Sequence, residues 1–175
     1  MPILLDALPT KEVRGRLPEV VAGLAYDSRG VKAGDCFVAV PGLKQDGRRF
    51  IPEALARGAR VVVAEGDDPL PGDERGRILV PSAREALGRL ADAYFGHPSG
   101  ALLVVGITGT NGKTTTSYLV EAILSGMGMK TGVIGTIEYR VGAEARAAGQ
   151  TTPEAVELED LLARMVASGV RGVAM

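Results

Sequence analysis

The chain has 175 residues, 46% of them hydrophobic, which is room for one large domain or two small ones, each with a real core. A formal net charge of −1 gives no support for broad nucleic-acid binding, and no apolar run reaches the length of a membrane span. The start, MPILLDALPTKEVRGR, lacks a basic segment before its short apolar piece and does not read as a signal peptide. The single cysteine, Cys36, excludes an internal disulfide and fits a reducing compartment. One histidine beside it leaves little for a zinc site, while a hard cation on oxygen ligands stays open.

In chain order, CFVAV (36–40) reads as a buried strand and GLKQDGRR (42–49) as a loop. FIPEALARG reads as a short helix with Pro52 in its first turn and Gly58 at its exit, and RVVVAE (60–65) as a second strand. Strand, helix and strand in that order predict a parallel βαβ unit. Residues 67–77 are turn-rich, ILV (78–80) is a short strand, and SAREALGRLADAYF (82–95) is a helix. Ser82 and Glu85 have capping-box spacing, and Leu87, Leu90, Ala91 and Tyr94 share one face. GHPSG (96–100) reads as a boundary between two units. An apolar run then leads to Ile107, a glycine cluster follows, and a helix is expected from about Thr114 to Ser125. GVIGTIEYRV (132–141) reads as extended chain. In the last helix Thr152 is the expected N-cap with Pro153 at the first position. Leu158, Leu161, Leu162, Met165 and Val166 follow helical spacing, Gly169 closes the helix, and 170–175 reads as a strand.

The segment VVGITGTNGKTTTSYLV carries the chemistry. A glycine-rich turn between a buried strand and a helix aims backbone N–H groups into one hollow, and the helix adds its N-terminal partial charge. Gly109 and Gly112 let the backbone approach closely, Lys113 can reach terminal phosphates, and the hydroxyl of Thr114 can ligate Mg²⁺. The strict P-loop spacing G-x-x-x-x-G-K-[ST] wants glycine at 107, where this chain has Ile107; its glycines stand at 106, 109 and 112.

GITGTNGKTTT resembles the ATP loop of the Mur ligases, which has the form T-G-T-N-G-K-T with the same shifted glycine. The resemblance implies Gly109, Thr110, Asn111, Gly112, Lys113, Thr114 and Thr115 as ATP contacts. It implies Lys113 as the catalytic residue, stabilising charge rather than acting as a base, and Thr114 as the Mg²⁺ ligand. Folate polyglutamate synthases have a similar loop but lack a preceding domain of this kind. Residues 27–65 look like the first domain of the Mur ligases that add the third residue or the terminal dipeptide. That match implies Ser28, Leu43, Lys44 and Gln45 as contacts to a uridine diphosphate sugar, with Tyr26 and Asp27 as further candidates. On the residues alone, Asp27 capping its own turn is the alternative. Cys36 stands where a larger aliphatic residue is usual and reads as a small core residue. The end, QTTPEAVELEDLLARMVASGVRGVAM, resembles the third-residue-adding members, in which a Thr-Thr pair contacts the muramoyl-peptide; Thr151 and Thr152 carry over.

The fold expected from this resemblance is α/β. A small UDP-substrate-binding domain (1–97) is followed by the start of a P-loop ATPase domain with a mostly parallel sheet (98–175). The function it implies is an ATP-dependent amide ligase of peptidoglycan precursor synthesis. Its substrates would be UDP-N-acetylmuramoyl-L-alanyl-D-glutamate, ATP and an amino acid, with Mg²⁺ as cofactor. A cytoplasmic monomer with no nucleic-acid or membrane partner is expected. In the family an acidic segment follows the last strand and supplies a magnesium ligand, and a carbamylated lysine and an amino-acid-binding domain come later. The chain therefore reads as an N-terminal fragment, inactive alone. The alternatives are a dipeptide-adding Mur ligase, a stand-alone nucleotide-binding module and an unrelated P-loop switch.

Overall fold

The computed structural model describes residues 2–42, 45–70, 73–142, 144–149 and 151–175. The chain divides into two compact units, Met1–Tyr94 and Phe95–Met175.

Among its described residues the first unit has five strands: β1 (Glu12–Arg14), β2 (Leu24–Ala25), β3 (Cys36–Val38), β4 (Val61–Glu65) and β5 (Gly76–Val80). They lie in the order β1-β5-β4-β3-β2. β2 to β5 are mutually parallel, and β1 closes one edge antiparallel to β5. Among the described residues three α-helices accompany the sheet: α1 (Pro2–Asp6), α2 (Ile51–Ala56) and α3 (Ala83–Tyr94). The run VVVA at 61–64 is buried throughout because helices cover both faces of a parallel sheet. Phe37, Ala39, Val62 and Ala64 pack with Ile51 and Ala54 of α2, while α3 contacts β4 and β2.

Several sequence expectations shift here. The short strand expected at 78–80 begins at Gly76, because its pairing with β4 extends over five residues and buries Arg77. Arg77 is tolerated inside because Asp68 pairs with it at 3.0 Å and the carbonyl of Arg75 accepts from its guanidinium at 2.7 Å. Only half of the expected capping box is seen. The Glu85 N–H donates to Ser82 Oγ at 3.2 Å, but the Glu85 carboxylate is held by Arg89 one turn on. Glu65, at the end of β4, instead accepts from the Ala83 N–H at 2.6 Å. Tyr94 keeps 37% of its surface exposed, and its hydroxyl donates to the carbonyl of Ala22.

The second unit has β6 (Leu103–Val105), β7 (Thr131–Ile134), β8 (Glu138–Val141), β9 (Glu144–Ala147) and β10 (Gly172–Ala174), in the order β6-β10-β7-β8-β9. β10 is inserted between β6 and β7, parallel to both. The stretch expected to be one extended segment at 132–141 is a hairpin: residues 135–137 turn the chain, and β8 returns antiparallel to β7. Among the described residues two α-helices, α4 (Lys113–Gly126) and α5 (Ala155–Ala167), complete the unit. Leu161, Leu162 and Met165 of α5 pack on Ile134, Tyr139 and Val173. Successive residues of a strand face opposite ways, so Gly172, beside Val173, meets Leu124 of α4. The parallel strands are thus sandwiched between α4 and α5.

Candidate functional site

Two hollows gather the residues singled out by the sequence, and both lie at the carboxyl ends of parallel strands, where open α/β sheets bind ligands. In the second unit, β6 runs into an exposed loop, 108–112, which ends at Gly112. Gly112 has φ 80° and ψ −6°, a left-handed conformation that costs a residue with a Cβ roughly 1–2 kcal/mol. It is the N-cap of α4 and offers no side chain to the first-turn N–H groups, so those donors are left for solvent or a ligand. Lys113 and Thr114 open the helix. Ser117, 4% exposed, donates its hydroxyl to the Thr114 carbonyl at 2.8 Å and steadies that turn. Lys113 Nζ bends back to donate to the carbonyl of Gly109 at 2.6 Å.

Lys113 and Thr114 line a hollow of about 40 Å³ together with Ile107, Gly135, Thr151 and Thr152. The end of the last parallel strand, at Met175, also borders it. The structure thus brings Thr151 and Thr152 to the helix entry that carries Lys113. Gly109, Thr110, Asn111 and Thr115 are exposed around this entry. The expectation that Thr152 caps the last helix is corrected. The N-cap is Glu154 (φ −67°, ψ 164°), and α5 starts at Ala155. Pro153 is buried just ahead of it, so packing of the incoming chain, rather than a capping hydroxyl, sets the helix start. Both threonine side chains are left exposed beside the hollow.

Among the described residues no carboxylate side chain lines this hollow, and no cluster of three His, Cys, Asp or Glu could hold a metal. The donor set is hydroxyl oxygen. Mg²⁺ commonly takes one or two protein groups and completes its shell with phosphate oxygens and water, so Thr114 fits an ion carried in on phosphates, not an all-protein cage.

In the first unit, a hollow of about 450 Å³ is lined by Tyr26, Ser28, Gln45, Phe50 and Glu53, with the Asp27–Arg29 turn at its rim. Leu43 and Lys44 lie outside the described residues. Asp27 caps its own turn, accepting from the Arg29 N–H at 3.0 Å, and pairs with the Arg29 guanidinium at 2.6 Å. That side-chain hydrogen bond is the main reason its carboxyl is held below the usual range. Ser28 is 4% exposed, and its Oγ donates to Glu53 Oε2 at 2.7 Å. Glu53 Oε1 in turn accepts from Arg57 Nε at 3.2 Å. Glu53 is held below its ordinary value chiefly by the Ser28 hydroxyl, with Arg57 adding. Sequence reasoning missed Phe50 and Glu53. The Glu53–Arg57 spacing reads as a surface helix pair, and no local signal links it to a serine 25 positions away. Cys36 is 1% exposed, and burial pushes its thiol up to about 12, which suits a core residue and not a nucleophile.

Residues 20–95 match the Mur ligase family, catalytic domain, and residues 107–175 match the Mur ligase middle domain. The chain belongs to the Mur ligase family. Among curated relatives of this Mur ligase chain is UDP-N-acetylmuramoyl-L-alanyl-D-glutamate–2,6-diaminopimelate ligase of Geobacter sulfurreducens, 47% identical over 93% of the chain and 32% of the relative. A solved UDP-N-acetylmuramoyl-L-alanyl-D-glutamate–2,6-diaminopimelate ligase superposes with a TM-score of 0.76 at 26% identity, over 98% of this chain and 34% of that one. The MurF ligase of Thermotoga maritima, solved in complex with ADP, superposes with a TM-score of 0.52 at 32% identity, over 79% and 28%. The chain therefore spans about a third of the length of the relatives it matches. No described helix is long and apolar enough to cross a membrane.

Proposed function

We propose that this Mur ligase chain belongs to an ATP-dependent amide ligase that adds the third amino acid to UDP-N-acetylmuramoyl-L-alanyl-D-glutamate in the cytoplasm. Residues of the first unit take the uridine diphosphate end of the substrate. The second unit takes ATP at the entry to α4. The observation that carries this reading is the shared hollow of Lys113, Thr114, Thr151 and Thr152. That grouping supports the reading, because the ammonium proposed for phosphate shares one hollow with the hydroxyls proposed for the muramoyl-peptide.

The chemistry follows from the charge that must be handled. A carboxylate is a poor acylating agent, and transfer of the γ-phosphoryl group to its oxygen creates a leaving group. The carboxylate oxygen forms a bond to phosphorus as the bond to ADP breaks. An amine then attacks the carbonyl carbon, phosphate departs and an amide remains. Two anions have to approach in the first step. Lys113 leaves the Gly109 carbonyl and meets the β- and γ-phosphates, while the N–H groups of the first helical turn offset charge on the transferring group. Thr114 would hold Mg²⁺, which supplies further charge neutralisation when bound. Thr151 and Thr152 orient the muramoyl-peptide so that its carboxylate faces the transferring group. The Thr-Thr-Pro entry to α5 favours the third-residue-adding member over the dipeptide-adding one.

Calorimetric titration of the chain tests the reading. ATP and the UDP-muramoyl-dipeptide should each bind with one-to-one stoichiometry. Lys113→Ala should weaken ATP while leaving the UDP compound untouched. A folded chain that binds ATP but gives no heat with the UDP compound would refute the assignment of the first unit.

A further inference from the structure

The hollow in the first unit holds a hydrogen-bond polarity that the fold alone does not require. Ser28 has one hydroxyl proton and two lone pairs. The proton is committed: Oγ lies 2.7 Å from Glu53 Oε2, a charge-assisted distance, and Ser28 is almost wholly buried. What Ser28 presents to an occupant is therefore lone-pair density. Glu53 adds carboxylate oxygen beside it, so this part of the wall is acceptor-rich. The Arg29 guanidinium is tied to Asp27 at the rim. Such a wall repels phosphate and suits a ligand group that donates. The aromatic rings of Tyr26 and Phe50 line the same space and suit a planar heterocycle.

We infer that Glu53 is a specificity-determining residue of the nucleotide site: by taking the hydroxyl proton of Ser28 it makes that serine an obligate acceptor, which selects a uracil imide N–H over the ring nitrogen of cytosine. This rests on the reading of the hollow as the uridine diphosphate site. Uracil carries a proton on N3. Cytosine carries a lone pair there, and its amino group sits one ring position away, where uracil has a carbonyl oxygen. A cytosine placed like uracil would set lone pair against lone pair at a serine that is almost wholly buried, the kind of mismatch that discriminates strongly between close analogues.

Arg57 makes the inference testable with one conservative change. Its Nε donates to Glu53 Oε1, the oxygen not used by Ser28. In Glu53→Gln the carbonyl oxygen of the amide must stay on Arg57, which has donors only. The amide nitrogen then faces Ser28 and donates to it. Freed of its old partner, the serine proton points into the hollow and meets the occupant as a donor. The size of the side chain is unchanged, and its partly exposed position makes a folding defect avoidable.

The test uses the 175-residue chain and two probes, UDP and CDP, which differ only in the base. The readout is the ratio of their dissociation constants by calorimetry, with the melting temperature as a control. The native chain should favour UDP by at least about tenfold, the equivalent of one good hydrogen bond won or lost. Glu53→Gln should bring the ratio to within about threefold of unity or reverse it. A general gain in anion affinity from the lost negative charge would move both probes together and leave the ratio alone. Ser28→Ala, with Glu53 intact, should also flatten the ratio, by weakening UDP. If the native chain binds both nucleotides equally, or if Glu53→Gln keeps the native ratio, the inference is overturned while the nucleotide site stands. If the folded native chain binds neither, the reading of the hollow falls with it.

Discussion

Replacing Lys113 by alanine removes the ammonium at the entry to α4, and the size of the effect follows from its surroundings. An ammonium brought to about 4 Å from a phosphate charge near a protein surface gains about 4 kcal/mol. The bond of Lys113 Nζ to the Gly109 carbonyl, 2.6 Å long, must first be given up, at about 1 kcal/mol. The loop around the lysine is exposed, so solvent and salt screen the remainder, and a net loss of about 2 kcal/mol is expected. That corresponds to ATP binding weakened on the order of 30-fold. The assay is calorimetric titration with ATP, ADP and AMP in parallel, each at two salt concentrations. ATP and ADP should weaken, and AMP, whose phosphate is nearest the ribose, should change least. Lys113→Arg should not restore the native value, because a planar fork replaces a compact charge. An ATP affinity within about threefold of native in Lys113→Ala, with the fold intact, would refute the assignment of Lys113 to the terminal phosphates.

Gly112→Ala should lower stability by about 1–2 kcal/mol, read as a drop in the urea midpoint. Its new Cβ would meet nothing nearer than Thr116 Oγ1 at 4.0 Å, so the cost is conformational; an unchanged midpoint would count against the left-handed geometry. Cys36 should resist thiol-specific reagents in the native state even at pH 9, because burial pushes its thiol up to about 12; labelling at the rate of a free thiol would mean that β3 is open to solvent. Asp68 is held below the usual range, first by the Leu70 N–H and then by Arg77. A depressed carboxyl stabilises the fold fully above the ordinary aspartate range near pH 4 and loses that contribution as the pH falls through its folded value. Asp68→Asn should therefore lower the urea midpoint at pH 7, and the gap to the native protein should close in acid; a gap independent of pH would sink the pairing argument.

Much of this protein was legible in local pattern because its cause is local. The run at 61–64 is apolar without alternation because the strand is buried on both faces. The Gly-Lys-Thr junction shows in the sequence because a strand, a close turn and a helix entry each leave a mark within a few residues. The hairpin of β7 and β8 was not legible: the turn at 135–137 lacks strong turn residues beyond one glycine, and both arms are apolar enough to read as a single extended segment. The start of α5 was misplaced because burial of Pro153 outweighs the capping preference of a threonine.

The amino-acid order by itself determined where a glycine-rich turn meets a helix entry carrying Lys113 and Thr114, and that strands and helices alternate around it. Only the tertiary structure decided that Thr151 and Thr152 share a hollow with Lys113, and that Glu53 holds the proton of Ser28. The physical reason is reach. Backbone propensity and periodicity act over a turn or two of chain, whereas a site is assembled where distant strand ends converge, and hydrogen-bond polarity there depends on partners that the sequence keeps far apart.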